Sequence, residues 1–443
     1  MAGSTSIKSD TGYSRKEQVG WYIYDWANSA YFSTVVTLFF GPYITAVAKS
    51  AANADGYVHP LGIAVDARSY WGYLVSFSVL TQVLFLPVFG AVADASARKK
   101  RLLGLLAYTG ATATVLMYFI EGQKYLLGGW LFLVANLAGG ASVAIYNSFL
   151  PDIAPEKDRD RVSSKGWGIG YLGGGLLLVL NLLLYQQADA LGLTEAAAVR
   201  LSLLSACVWW AAFSVIPLLW LRNRRPTQQG GVQLGSAVRQ LFRTLRSLRA
   251  YPQTLVFLVA YLLYNDAIQA VITLSGQFGS DELKIPMSTL TMAILMVQFV
   301  AVGGAFTFNW LAARMTAKGA VILGLLIWIA VILAIFGLVK TTAHFFVAAA
   351  AVALVMGGTQ ALSRSLFSLM IPSGKEAEYF SLYEITDKGT SWLAPLLFGL
   401  ALQFTKSYRL AILSLLAFFV LGLAVLTRVD VRRAAREAGN EAP

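Results

Sequence analysis

Residues 20–48 read GWYIYDWANSAYFSTVVTLFFGPYITAVA. The run is long and apolar enough to cross a bilayer, which takes roughly 20 residues at about 1.5 Å each. It nevertheless carries Asp25 and Asn28 one helical turn apart, among Tyr22, Tyr24, Trp26 and Tyr31. A carboxylate within a span costs about 2.5–3.5 kcal/mol on insertion scales, so it normally faces a polar cavity or a partner. The alternative is that Asp25 lies near the end of its span and reaches water directly. Where the span begins decides between the two.

The rest of the chain has the same character. Hydrophobic residues are 57% of the 443 and charged residues 13%, against about 25% charged in an ordinary soluble chain. Mean hydropathy is +0.62, so most of this chain belongs in lipid. The single cysteine, Cys207, lies in an apolar run; it excludes a disulfide framework and reads as a packed, inert thiol. The first twenty residues have no apolar core, so no cleavable signal peptide is expected and the first span serves as its own insertion signal.

Twelve apolar segments follow in order, at 20–48, 70–93, 102–120, 126–149, 166–186, 199–221, 253–276, 287–312, 319–339, 343–363, 379–403 and 409–429. Gly, Pro or charge interrupts the first, fifth and eleventh, and Pro42, Pro217 and Pro395 are expected to kink their spans. With the N-terminus inside, about three quarters of the lysines and arginines fall on the inner side, which puts both termini in the cytoplasm. The net charge of +12 is thus topogenic, and nucleic acid is not an expected partner. The expected fold is an all-α membrane protein of twelve transmembrane helices in two six-helix pseudo-repeats. Its parts are a cytoplasmic tail at 1–19, a six-helix bundle at 20–221, a basic linker at 222–252, a second bundle at 253–429 and a tail at 430–443.

Within the linker, Val238, Leu241, Leu245 and Leu248 recur at three- and four-residue steps with Arg239, Arg243, Arg246 and Arg249 between them. That suits an amphipathic helix on an anionic leaflet; a solvated tether is the other reading. The two sides of the linker resemble each other. Tyr24-Asp25-Trp26-Ala27-Asn28 in the first span is echoed by Tyr264-Asn265-Asp266-Ala267-Ile268-Gln269 in the seventh. Gly139-Gly140 ahead of Asn147-Ser148-Phe149 is echoed by Gly357-Gly358 ahead of Arg364-Ser365-Leu366-Phe367, and Ser164-Lys165-Gly166 by Asp387-Lys388-Gly389. Three pairs in one order indicate a duplicated six-span unit, whose substrate site would lie between the halves near the midplane.

After the second span, Gly90-Ala91-Val92-Ala93-Asp94-Ala95-Ser96-Ala97-Arg98-Lys99-Lys100-Arg101 sets an acid four residues past a glycine and bases four and more beyond. A basic cytoplasmic loop explains the bases alone; the spacing resembles the signature loop of the major facilitator superfamily. That resemblance implies a cytoplasmic latch using Gly90, Asp94, Arg98 and Arg101. At the equivalent place in the second half Ala313 stands where an acid would be expected, so the second latch is weak. More narrowly, YDWANSAY at 24–31, YNSFLPDIAP at 146–155, RVSSKGWGIGYLGGG at 161–175, YNDAIQAVI at 264–272, GGTQALSRSLF at 357–367 and YEITDKGTSWLAPLLFG at 383–399 resemble the vacuole-effluxer branch of that superfamily. This branch contains fungal autophagy-associated vacuolar amino-acid effluxers and bacterial relatives of unknown substrate. The resemblance runs from about residue 20 to 430. It implies a secondary transporter working by alternating access.

Coupling needs a group that binds and releases a proton, and Asp266 and Asp25 are the candidates. Asp266 lies deeper in its span, by the limits above, and is favoured. Asn28, Asn136, Gln269, Gln360 and Arg364 are candidates to read a ligand's polar groups, with Asn265, Glu384, Asp387 and Lys388 beside them. For Arg364 two readings stand, a base snorkelling to the cytoplasmic edge and a planar fork facing a carboxylate. Asp387 and Lys388 either neutralise charges across the central seam or simply hold spans together. Tyr24, Trp26, Tyr31, Tyr264 and Trp392 either line the cavity or belong to the interfacial aromatic belt. Gly166, Gly170 and Gly174 share one face and read as a moving helix contact. No cofactor or metal is expected: His59 and His344 lie toward outer loops, and there is no Walker loop, zinc spacing or nucleophile–base set.

The expected function is proton-coupled efflux of amino acids or similar small polar solutes, by a monomer in the bilayer. A bacterial cytoplasmic membrane is favoured over a vacuolar one. Two other readings remain at this point: a carrier of lipids, drugs or other amphipaths on the same fold, and a membrane receptor or scaffold that transports nothing.

Overall fold

The computed structural model describes residues 13–95, 98–154, 156–223, 246, 248–372, 383 and 391–440. In chain order its long helices are α1 (Arg15–Ala51), α2 (Tyr70–Ala95), α3 (Lys99–Leu116), α4 (Tyr125–Asn147), α5 (Glu156–Gln186), α6 (Glu195–Trp220), α7 (Pro252–Gln277), α8 (Met287–Met315), α9 (Ala317–Gly337), α10 (Thr342–Leu369), α11 (Leu393–Thr405) and α12 (Tyr408–Thr427). Ten of these are long and apolar enough to cross a membrane; the described apolar parts of α2 and α11 are shorter, Tyr70–Leu86 and Leu393–Thr405. Between α1 and α2 a small antiparallel hairpin pairs Tyr57 with Asp66 and Val58 with Val65.

Local chemistry sets the helix ends. Thr194, Thr316, Thr341 and Ser407 each accept a hydrogen bond from a backbone amide of the first turn of α6, α9, α10 and α12, as N-caps do. α11 closes on Lys406 in the left-handed region, at φ 57°, which turns the chain sharply into α12. Pro217 sits inside α6, whereas Pro395 lies in the first turn of α11, where a missing amide proton costs little. In α1 the helix loosens to a π turn over Phe32–Phe39 ahead of Pro42. Such turns often mark functional stretches of a helix.

The span limits differ from expectation at several helices: α5 begins at Glu156 rather than 166, and α10 runs on to Leu369 rather than 363. α1 begins at Arg15, earlier than 20, so Asp25 lies deeper within it and the mismatch in depth with Asp266 narrows. α11, expected over 379–403, is described as helix from Leu393, and 384–390 lie outside the described residues. The amphipathic stretch of the linker also lies almost wholly outside them.

Helix α1 packs on α5 and α6, α3 on α4 and α6, and α2 on α4; α7 packs on α12, and α10 on α8 and α9. Contacts of α1 with α7 and α8, of α2 with α11 and of α5 with α8 join these two groups. Lipid tails are as apolar as leucine, so such contacts hold by close fit, and small residues permit it. At the α2–α11 crossing Gly72 faces Gly399; a Cβ on Gly72 would lie 3.2 Å from the Gly399 Cα. A Cβ on Gly276 would meet the Thr37 and Leu38 carbonyl oxygens of α1 at 3.1 Å.

Candidate functional site

A cavity of about 600 Å³ lies between the two groups of helices. One face of α1 forms much of its wall: Asp25, Asn28, Ser29, Phe32, Ser33 and Val36 recur at three- and four-residue steps, which is a single stripe on a helix. Across from it Gln82 comes from α2, Asn136 and Tyr146 from α4, Gln269 and Thr273 from α7, and Arg364 from α10. Asp25 and Arg364 are the charged residues among those lining it. Among the described residues the cavity therefore presents one carboxylate, one guanidinium and several amides within an aromatic and aliphatic surround, which suits a small solute bearing charges of both signs.

The wall is held in place by close contacts behind it. α5 presses onto the back of Asp25: a Cβ on Gly170 would lie 2.8 Å from Ser29 Oγ, and one on Gly173 only 2.4 Å from the Trp26 carbonyl oxygen. Gly166 is equally tight against Trp21. The glycine stripe therefore seats α5 on α1 beside the candidate carboxylate. On α4, Gly140 leaves the room that Gln82 fills, since a Cβ there would be 2.3 Å from Gln82 Oε1. Asn136 Nδ2 donates to Ser78 Oγ at 2.6 Å. Trp21 Nε1 donates to the Tyr146 carbonyl at 2.9 Å, and the two rings stack at 4.3 Å.

The other sequence candidates divide. Gln269 lines this cavity and also a second, apolar chamber beside it, and Gln360 lines that chamber alone. Trp26 turns away, its ring stacked on Trp209 at 5.5 Å. Tyr24 and Tyr31 are fully buried next to Tyr146 and Trp210. Tyr264 shares a 2.6 Å hydrogen bond with Ser363, and Asn265 is buried. Trp392 takes part through its carbonyl, which accepts from Ser76 Oγ of α2 at 2.8 Å.

Asp266 lines neither cavity. It is 1% exposed, and its Oδ2 accepts from the Ala394 amide at 3.1 Å, on the first turn of α11. The placement is that of a carboxylate holding the start of a helix, where the unpaired amides and the helix dipole favour negative charge. Glu384, Asp387 and Lys388 lie outside the described residues, as does the side chain of Asp94, and of Gly90 only the helical backbone is described. Arg98 precedes α3 and accepts from the Arg101 amide through its carbonyl; both arginines are exposed.

The cavity is shut at the end of the bundle opposite the chain termini, by contacts absent from the sequence reading. Lys49 at the end of α1 bonds Asp281 just beyond α7 at 2.6 Å. Gln277 Nε2 donates to Thr45 Oγ1 at 3.0 Å and to the Arg68 carbonyl at 2.7 Å. Lys406 Nζ reaches Asp66 Oδ2 at 2.5 Å and the Tyr57 hydroxyl at 2.9 Å, while Arg68 donates to the Lys406 carbonyl at 3.0 Å. Burial alone would push the Asp66 carboxyl up, but hydrogen bonds from Arg68 and Lys406 outweigh it and hold the group below the usual carboxylate range. The Lys406 ammonium is held above its usual value, since bonds to Asp66 and Tyr57 outweigh its partial desolvation.

At the end bearing the termini the described polar contacts stay within each group of helices. Gln18 donates to the Ile153 carbonyl, Lys318 to those of Thr427 and Val429, and Asn440 to those of Leu369 and Ile371. One end is thus bolted across the seam, and among the described residues the other is not.

The family model described as vacuole effluxer Atg22 like matches residues 13–439. An uncharacterized MFS-type transporter, YxiO, of Bacillus subtilis is 31% identical over 416 residues, which cover 94% of this chain and 95% of that protein. Autophagy-related protein 22-1 of Aspergillus clavatus is 27% identical over 466 residues, covering 85% and 76%. Among solved structures, that of a mutant of the nucleoside transporter NupG superposes with a TM-score of 0.70 at 13% identity, covering 93% of this chain and 99% of that one. At that identity the likeness concerns the fold.

Proposed function

The chain belongs to the vacuole effluxer Atg22-like family of MFS-type transporters, and from that premise we propose that it exports amino acids or similar small zwitterions by proton-coupled alternating access. The observation carrying this reading is that Asp25 and Arg364 both line one interhelical cavity. A carboxylate suits an ammonium, and a planar guanidinium suits a carboxylate bidentately. Asn28, Gln82, Asn136 and Gln269 are placed to satisfy what remains of a polar ligand, since a buried donor or acceptor left unpaired is costly.

On this reading the protein is an integral multi-pass membrane protein of twelve spans, with bundles at 20–221 and 253–429 joined by the basic linker. The termini lie in the cytoplasm on this reading, so the bolted end faces outward. A bacterial cytoplasmic membrane is the proposed setting and a monomer the working unit. The coupling proton is assigned to Asp25, which shares the cavity with the cargo, and Asp266 couples to movement through the start of α11. Proton and cargo then compete for, or cooperate at, the same wall as the two groups of helices rock about it.

The test is the thermal stability of the purified protein with amino acids, dipeptides, sugars and lysolipids at two pH values, since a ligand that binds the folded state raises its stability by mass action. Stabilisation by one amino-acid class, followed by uptake into proteoliposomes that requires a proton gradient, supports the proposal. Stabilisation by lysolipids alone overturns the cargo assignment.

A further inference from the structure

The second chamber has no part in this scheme. It holds about 330 Å³ among α7, α8 and α10, with Ile335 of α9 and Ile412 and Leu415 of α12 behind. Among the described residues none that lines it carries a charge; most are aliphatic or aromatic, with the amides of Gln269, Gln298 and Gln360 among them. Phe32, Ser33, Trp167, Tyr171 and Gln269 line both this chamber and the central cavity, so the two are contiguous. The described charges lie in the central cavity alone.

An apolar cavity of about 150 Å³ stays dry and admits benzene; this one holds roughly twice that and falls within the ordinary range of ligand pockets, about 300–1,000 Å³. A charged group entering it would meet no ionised partner among the described lining residues and would lose its hydration. A single small amino acid seated between Asp25 and Arg364 would leave it empty.

We propose that the side chamber is a second ligand subsite that takes an uncharged apolar body larger than one ring, borne by an amphipath whose polar head lies in the central cavity. The identity of the head rests on the reading above; the chemistry of the body rests on the chamber alone. Gln269 stands where head and body would join, and its amide is placed to serve the linking polar group. Trp167 and Tyr171, whose rings are 6.0 Å apart, flank the passage and offer faces to an apolar chain.

Calorimetric titration of the full chain in nanodiscs tests this, using 2-aminoalkanoates from 2-aminobutyrate to 2-aminodecanoate and octan-1-ol as a probe without a head. Affinity is expected to rise at least tenfold along the series, and octanol to compete with 2-aminodecanoate. Ala348→Phe and Val297→Phe fill the chamber from different helices, and each is expected to flatten the dependence on tail length. Melting temperatures identify any variant that fails to fold, and the other then decides. A rise that survives in folded variants reflects partition into the bilayer and overturns the proposal, as does the absence of any rise. If octanol binding is lost on filling the chamber but no aminoalkanoate binds, the subsite stands and the zwitterionic head falls. If 2-aminobutyrate binds and longer tails add nothing, the reverse holds.

Discussion

Lys406 Nζ lies 2.5 Å from Asp66 Oδ2, between residues 340 positions apart in the chain. The ammonium also sits over the Tyr57 ring, 4.2 Å from its centroid. The lysine comes from the turn joining α11 to α12 and the acid from the hairpin joining α1 to α2, so the pair clamps the two groups of helices at one end. Arg68 reinforces it, holding Asp66 Oδ1 from below and the Lys406 carbonyl from the side.

Lys406→Met should loosen that end. The variant keeps the stem of the side chain and removes the charge, leaving Asp66, 3% exposed, with Arg68 alone. Losing one charged partner there costs about 1–2 kcal/mol, a factor of roughly 5–30 in the ratio of closed to open states. Spin labels at Leu61 and Leu338, both well exposed at this end, would read the change as a longer distance component. Cys207 is the one native thiol and is buried, so it is readily removed from the background. An unchanged distance distribution would sink the clamp.

The same clamp should be indifferent to physiological pH. The folded-state pKa of Asp66 is held down, so its contribution is present above the unfolded value of about 3.9 and fades only as pH falls through the lower folded value. Lys406 is held up, so its contribution is complete below about 10.4 and fades as pH rises through the higher folded value. Between pH 5 and 8 the distance between the same two labels should stay constant in the substrate-free protein. A shift within that window would point to a group other than the Asp66–Lys406 pair, His59 of the same hairpin and His344 at the start of α10 being the histidines at this end.

Gly173 supports the site through packing. The Trp26 carbonyl oxygen would lie 2.4 Å from a Cβ there, and backbone cannot yield as a flexible side chain does. Gly173→Val should therefore lower stability by about 1–3 kcal/mol and displace Asp25 from the cavity wall. Gly175, two residues on, has open space around it, and Gly175→Ala should be neutral or mildly stabilising by about 0.5–1 kcal/mol. Thermal melting of the two variants side by side checks this; equal losses would mean that α5 does not bear on α1 at Gly173.

Residues 24–31 show how far the chain could be read in advance. Hydropathy located the long helices because burial in lipid demands an apolar run, and the Asp25-Asn28 spacing put both on one stripe that does line the cavity. Aromatic type was a poorer guide, because Tyr24, Trp26 and Tyr31 suit a core and a cavity equally well; all three pack away from the cavity. Arg364 admitted two readings, and it lines the cavity. Asp266 was favoured as the working acid from its depth, yet depth says nothing of direction, and it points to Ala394. The closed end was illegible, since Lys49, Asp66, Gln277 and Lys406 sit in unrelated short stretches that only the folded chain brings together. The tight fit of Gly140 against Gln82 was equally hidden, since the Gly139-Gly140 pair was legible only as part of the repeat.

The charge pair of the central cavity makes the sharpest claim. Asp25→Asn keeps the shape of the side chain and removes the charge, so it should weaken binding of an α-amino acid ten- to a hundredfold, the equivalent of about 1.4–2.8 kcal/mol. Arg364→Lys keeps the charge and loses the planar fork, so it should weaken the same ligand by a smaller factor than Arg364→Ala. Deaminated and decarboxylated analogues separate the two roles. Arg364→Ala should cost little for an analogue that lacks the carboxylate, and Asp25→Asn little for one that lacks the ammonium. Binding to the purified protein measures all of these, and counterflow in proteoliposomes measures coupling. If Asp25→Asn exchanges substrate normally but no longer responds to a proton gradient, the acid carries the proton and makes no contact with the ligand's ammonium. If Asp266→Asn alone abolishes that response, the proton travels through the start of α11 and Asp25 serves the ligand only.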